Sequence, residues 1–382
     1  MITFFLIIYL LTIFLCISSY IFYPMIIWVL GKMLPIKVKK RDIYPDISII
    51  MSAYNEEKNI EKKIKNTLAL EYPKDKIEIL VGSDGSTDET AGIVKKYADQ
   101  GIQFVDFKIN RGKTAVQNDL ADKSHGEVLI FTDAASFLPP DAMEKIVKNF
   151  ADDRVGCVSG RMRFVNTDAN LTTQSQGLYW RYEIAIREME SRIGSLIGVD
   201  GPLYAVRRDC YVPLGHHVIS DLMTPLIVLE RGKKVILESE ALVDEDPTTR
   251  TEHEFSTRRR IVLRGLGGIS TYMVLLNPIK HPGLSLQIFF HKVLRWFVGT
   301  LVILNGLACL ALTGHWFFKF YLTIYILFFV AAALGWITER LGIKVRALTV
   351  PYYFSLVNFA ATMGILDFFR KKQAISWKPV RH

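Results

Sequence analysis

The chain has 382 residues, half of them hydrophobic, with a mean hydropathy of +0.21 and a net charge of +9 from 47 basic and 38 acidic residues. A charged fraction of 22% is ordinary, so the apolar excess must be gathered into particular segments, which excludes both a disordered chain and a wholly soluble one. Four dispersed cysteines without a CxxC pair exclude a zinc framework and fit a reducing compartment. The basic residues cluster beside apolar stretches, which points to membrane lipids and not to nucleic acid.

Residues 1–30 carry no charge and are long enough to cross a bilayer as one helix. A cleaved leader would start basic and end at small residues, so this segment reads as retained. Lys32, Lys37, Lys39, Lys40 and Arg41 follow it, and the positive-inside tendency then puts the next domain in the cytoplasm. Short β-branched runs at 47–51, 77–82, 103–107 and 128–132 alternate with helical stretches, the wiring of a parallel α/β sheet. The helix after the first run is expected to begin near Glu56, with Ile60, Ile64, Thr67 and Leu68 on its buried face. Helical spacing over 172–193 places Tyr179, Trp180, Tyr182, Ile186 and Met189 in a core role. Residues 283–295 mix apolar side chains with His291, Lys292 and Arg295 and read as a helix at the membrane interface. Three apolar segments follow at 296–312, 317–336 and 348–369. Three crossings would strand the basic tail outside, so the last segment, with Pro351, Asn358 and Gly364, is the candidate for a re-entrant or protein-packed element. The expected division is 1–34 a transmembrane helix, 35–281 a cytoplasmic catalytic domain, 282–295 an interfacial helix, 296–370 a C-terminal transmembrane region and 371–382 a basic tail.

Four motifs occupy the ends of the predicted strands: Ala53-Tyr54-Asn55-Glu56, Ser83-Asp84-Gly85-Ser86-Thr87-Asp88, Asn110-Arg111-Gly112-Lys113 and Thr132-Asp133-Ala134-Ala135. Strand-to-helix turns at the carboxyl end of an open α/β sheet are where such sheets bind ligands. Read alone, Asn55 and Asp221 could each be helix caps, and Asp88 is a carboxylate complementing a helix N-terminus. Backbone N–H groups and Lys113 in the third motif could meet a diphosphate. A lone His253 between Glu252 and Glu254 is more simply a packed or solvated residue than a metal ligand.

In their order and spacing these motifs resemble family 2 inverting glycosyltransferases of the GT-A fold, over about residues 46–265. The resemblance implies an α/β, Rossmann-like domain that binds a nucleotide-sugar, flanked by transmembrane helices. It implies donor contacts from Ala53, Tyr54, Glu56, Asp84, Lys113, Asp133 and Arg260, with Asp133 holding Mg²⁺ or Mn²⁺ for the leaving diphosphate. Ala135 replaces the second acid of the metal motif, and Ser83 the first of an acidic pair near the base. Asp221 matches the catalytic base, and Asp200 and Gly201 match the acceptor loop. In the signature of processive synthases only the arginine remains, as Arg260, with Thr257 for Gln and Ile261 for Trp. Losing the aromatic platform argues for one or few transfers. Arg258, Arg259 and Arg264 then face lipid headgroups or solvent. The expectation is a transferase of the bacterial plasma membrane that moves a sugar from a nucleotide-sugar, a UDP-sugar first, to a lipid-linked or polysaccharide acceptor in cell-surface polysaccharide synthesis. The alternatives are a processive synthase of the hyaluronan, chitin or poly-N-acetylglucosamine type and a non-catalytic assembly partner.

Overall fold

The computed structural model describes residues 1–165, 171–247, 250–343 and 345–372, so Lys378 and Arg381 of the expected basic tail lie outside the described residues. Seven strands form one sheet: β1 (Ile47–Ala53), β2 (Ile77–Asp84), β3 (Ile102–Phe107), β4 (Val128–Asp133), β5 (Val155–Phe164), β6 (Leu203–Arg207) and β7 (Lys234–Glu245), in the order β3-β2-β1-β4-β6-β5-β7. The first four match the apolar runs in the sequence. β1 is buried along its whole length, as a central parallel strand covered on both faces must be. Its residues alternate between the two layers: Ile49 and Met51 join one core cluster, Ile50 the other. β6 runs antiparallel to β4 and β5, while β5 and β7 pair in parallel with register shifts.

A long apolar helix, α1 (Ile2–Met33), precedes the sheet. The connections carry α2 (Ile60–Leu68), α3 (Thr90–Lys95), α4 (Lys113–Lys123), α5 (Ala142–Val147), α6 (Leu171–Arg192) and α7 (Ser220–Glu230). After β7 come α8 (Thr251–Thr271), α9 (Pro282–Ala311), α10 (Trp316–Arg340) and α11 (Arg346–Phe369). Three of these, α1, α9 and α10, are long and apolar enough to cross a membrane.

Several expectations are corrected. α2 begins at Ile60, four residues later than expected: Asn55 and the Glu56 N–H bond across to Ser86, Thr87 and Thr90, and residues 56–59 form a turn that leads into the helix. The separate interfacial helix over 282–295 does not exist as such: those residues form the first half of the continuous α9, through a π-helical turn at Phe289–Val293. The facing π-turn of α1, Ser18–Phe22, touches it, and the Ser19 hydroxyl donates to the Phe290 carbonyl at 3.2 Å. His291, Lys292 and Arg295 turn inward, onto Glu183 and Glu190 of α6. Buried carboxylates need such counter-charges, which outweighs any pull from the headgroups. Arg258, Arg259 and Arg264 each find partners within the protein, though Arg259 stays partly exposed. Arg258 pairs with Glu254 at 2.8 Å, Arg259 with Asp367 of α11 at 2.5 Å, and Arg264 is buried against the catalytic domain. α11 lies tightly on α8: a side chain at Gly364 would meet the Arg259 carbonyl at 2.6 Å.

Candidate active site

Strand order reverses at β1, with β2 on one side and β4 on the other, so a crevice opens at their carboxyl ends. Register sets Ser52 opposite Asp133 and Ala53 opposite Ser83, bringing three of the four motifs to one edge. Ala53 is fully buried, while Tyr54 and Asn55 are partly exposed at the rim. Asn55 holds a left-handed φ of 54°, and its side-chain oxygen accepts from Thr87 N–H at 2.8 Å, so it staples two loops and caps no helix. Glu56 is buried, with its carboxylate accepting from the Asn59 amide at 2.9 Å. Asp88 accepts from the Thr90 N–H and hydroxyl at 3.1 and 2.6 Å, the helix-end role read from the sequence.

Asp84 is buried, and its two carboxylate oxygens accept the N–H groups of Arg111 and Gly112, both at 2.8 Å. Those N–H groups are therefore spent on Asp84 and do not point at a diphosphate. Asp84 instead anchors the loop that launches Lys113. Two glycines make the arrangement possible: Gly85 at φ 70° lies where a Cβ would strike Asn110 N at 2.7 Å, and Gly112 at φ 91° turns the chain into α4. Arg111 is occupied elsewhere, over the Phe107 ring and paired with Asp119.

Lys113 donates to the Asp133 carboxylate in a partly exposed ion pair. Its ammonium also lies 3.6 Å from where a side chain on Gly201 would start, and Asp221 Oδ2 lies 3.0 Å from the same point. Lys113, Asp133, Gly201 and Asp221 thus converge. Arg260 is near enough to feel the same carboxylates: burial lowers its hold on its proton, and the charges of Asp221 and Asp133 oppose that. Burial pushes the Asp221 carboxyl above its ordinary range and Lys113 opposes this, with Asp133 adding to the rise. Asp221 is the second residue of α7, whose cap position is Ile219, so the capping role does not apply. Its place is fixed from three sides. Val199 N–H donates to the Asp221 carbonyl at 2.9 Å, Ser220 donates to Gln117 at 2.7 Å, and the preceding Val218 carbonyl accepts from Thr114 and Arg264 at 3.0 and 2.6 Å.

Asp200, expected at the acceptor, does not reach the cleft. Its side chain is fully covered, paired with Arg187 and accepting from Met162 N–H at 2.8 Å. A buried carboxylate demands such partners. Gly201, the next residue, is the one beside Asp221.

Three contributors escaped the sequence reading. Arg264 grips the loop ahead of Asp221. Lys63 of α2 is fully buried and donates to the Thr132 hydroxyl and the Ser136 carbonyl at 2.8 and 2.7 Å, pinning the turn that carries Asp133. Burial brings its ammonium down to about 7, against the pull of Asp133. The third, Glu245 at the end of β7, has its carboxyl pushed up to about 8 by burial and by the charge of Asp133. Lys63 left a readable trace, a lysine one helical turn from Ile60 and Thr67 on the apolar face; Glu245 left only an acidic run, Asp244-Glu245-Asp246. Among the described residues no cluster of three or more acidic, His or Cys side chains could hold a metal. Asp133 and Glu245 nevertheless supply two hard oxygen donors whose mutual repulsion a divalent cation would relieve, so the residues present fit Mg²⁺ or Mn²⁺.

A sheet with its crevice at the β1/β4 switch point, flanked by apolar helices and carrying acidic and basic groups on that crevice, defines a GT-A-fold domain attached to helices long and apolar enough to cross a membrane. Residues 48–211 match the model of the family described as glycosyl transferase family 2. The chain is 29% identical over 184 residues to the poly-beta-1,6-N-acetyl-D-glucosamine synthase of Staphylococcus aureus strain COL, covering 47% of this chain and 44% of that protein. It is 24% identical over 213 residues to the Staphylococcus epidermidis protein of the same name, covering 51% of each. The chain thus spans about half the length of the curated relatives it matches. A mannosyltransferase from Pyrobaculum calidifontis, solved in complex with GDP-Man and Mn²⁺, shares the fold with a TM-score of 0.73 at 19% identity, over 96% of this chain and all of that one.

Proposed function

We propose that this protein is a membrane-anchored inverting glycosyltransferase that moves a sugar from a nucleotide-sugar to a lipid-linked or polysaccharide acceptor, in cell-surface polysaccharide synthesis. The observation that carries the reading is the convergence of Lys113, Asp133, Asp221, Gly201 and Arg260 at the switch-point crevice. The nucleotide lies along the crevice with its base beside Tyr54, and the diphosphate reaches Lys113 and Arg260. The bond between the anomeric carbon and the diphosphate breaks as an acceptor hydroxyl bonds to the opposite face of that carbon. Asp221 takes the hydroxyl proton onto its carboxylate, and its raised affinity for a proton suits that task. Lys113 and Arg260 meet the charge that grows on the departing diphosphate, the guanidinium pairing with two phosphate oxygens. A divalent cation held by Asp133 and Glu245 would add neutralising charge at the diphosphate. Thr257 and Ile261 in place of the Gln and Trp of processive synthases favour single or few transfers over polymerisation.

The apolar helices support an orientation with the N-terminus outside and the sheet in the cytoplasm of a bacterial plasma membrane. Two returning spans, α9 and α10, then bring Arg340, Arg346, Arg370, Lys371 and Lys372 to the same side as Lys37, Lys39, Lys40 and Arg41, satisfying the positive-inside tendency. α11 stays with α8 and need not cross.

The test is nucleotide diphosphate release by the purified full chain from a panel of UDP-, GDP- and dTDP-sugars, with Mn²⁺ or Mg²⁺ and after chelation. Release that needs the metal and is lost in Asp133→Ala and Asp221→Asn is expected. Absence of nucleotide binding across the panel would overturn the reading in favour of an assembly partner.

A further inference from the structure

Away from the reaction centre, a cavity of about 910 Å³ opens between β5, α6 and the first turns of α11. Four arginines line it: Arg161, Arg163, Arg181 and Arg346. Two are neutralised, Arg161 by Glu188 at 3.0 Å and Arg163 by a two-pronged pair with Asp244 at 2.7 and 2.9 Å. Arg181 and Arg346 are exposed and make no ion pair among the described residues, so the chamber holds two unmatched positive charges. Between the arginines the wall is apolar, with Phe164 and an exposed Leu178.

The cavity lies where α10 ends. Arg340 there stacks over Trp336 at 4.3 Å, the aromatic and basic pairing of a helix leaving hydrocarbon for the headgroup layer. Glu339 of that turn accepts from the Thr172 hydroxyl at the start of α6, at 2.7 Å. On its other side the cavity connects to the loop beside the reaction centre through a short chain of hydrogen bonds. Trp180 donates to the Met162 carbonyl at 2.9 Å, and Met162 N–H holds Asp200, the residue before Gly201.

Unmatched guanidinium groups beside an apolar wall, at the membrane boundary and one strand from the site, recognise one chemistry: a phosphate ester on a long hydrocarbon chain. We propose that this cavity seats the phosphate of a lipid-linked glycan acceptor, with Arg181 and Arg346 on the phosphate, the hydrocarbon chain leading back to the bilayer and the glycan's terminal hydroxyl extending to Asp221. The proposal rests on the transferase reading and specifies the acceptor class.

The experiment uses the full chain in detergent, with native mass spectrometry of three separate probes: a long-chain polyprenyl phosphate, phosphatidylglycerol and inorganic phosphate. UDP and GDP binding is measured on the same preparations. Saturable polyprenyl phosphate binding is expected, weakened about tenfold or more in the Arg181→Ala/Arg346→Ala double variant while nucleotide binding is unchanged. Equal binding by wild type and variant overturns the proposal. So does phosphatidylglycerol bound as tightly with the same arginine dependence, which would make the cavity a general lipid site, or inorganic phosphate bound as tightly, which would leave the hydrocarbon chain no role. Wild type that takes the polyprenyl phosphate but no nucleotide keeps the lipid site and removes the transferase reading.

Discussion

Asp221 and Gly201 carry the sharpest consequences at the scale of single residues. Replacing Asp221 by Asn keeps the shape of the carboxylate and removes its basicity, so turnover is expected to fall by on the order of 10²–10⁴ with nucleotide binding retained. Steady-state kinetics beside a binding titration separate the two. Because the base acts only when ionised and its proton affinity is raised, activity is lost on acidification at a higher pH than an ordinary aspartate, near ~3.9, would give. A profile of kcat/KM against pH with its acid limb at or below that value counts against Asp221. At Gly201 the expected change is geometric: a Cβ would sit 3.0 Å from Asp221 Oδ2, so Gly201→Ala displaces the carboxylate and lowers kcat more than it raises the donor KM. The structural partners of two of the candidate carboxylates were not readable from the sequence. Asp84 and Asp200 are carboxylates in the right motifs whose oxygens are consumed by backbone N–H groups and an arginine far along the chain, and no local pattern reveals such partners.

Among the elements, α6 and α9 depend on each other through charge. Although burial opposes it, Lys292, His291 and Arg295 hold the Glu183 carboxyl well below its usual range. Arg187, one turn on, bridges Glu183 to Asp200 and so links the membrane helices to the loop beside Asp221. Glu183→Gln leaves these cations without their counter-charge in a buried site. A loss of about 3–5 kcal/mol is expected, seen as a lower thermal midpoint in detergent, whereas an unchanged midpoint would show the network to be dispensable. Element type was legible, since short β-branched runs and helical stripes marked β1 to β4, α2 and α6. Continuity was not: the polar residues that made 283–295 look like an interfacial helix are the inward face of α9, and their carboxylate partners lie about a hundred positions upstream.

For the whole molecule, the arrangement of spans predicts sidedness. The turn between α9 and α10 and the N-terminus should lie on one side of the membrane, and the sheet on the other. In a background without the native cysteines, Gly314→Cys is expected to react with a membrane-impermeant maleimide in intact cells, and a cysteine on the catalytic domain only after lysis. Labelling of both in intact cells would refute the orientation, which rests on the basic flanks of α1, α10 and α11.

The amino-acid sequence alone determined the α/β class, the apolar ends and the order of the four strand-end motifs, because hydrophobic periodicity and turn residues are local properties. It also pointed to Lys113, Asp133, Asp221 and Arg260, though not to their meeting. Only the tertiary structure decided that these four share one cleft, that Asp84 and Asp200 serve as anchors and that Lys63, Glu245 and Arg264 support the site. Each of those facts depends on contacts between segments remote in the chain, and what a charged side chain does is set by which partners reach it once water is excluded.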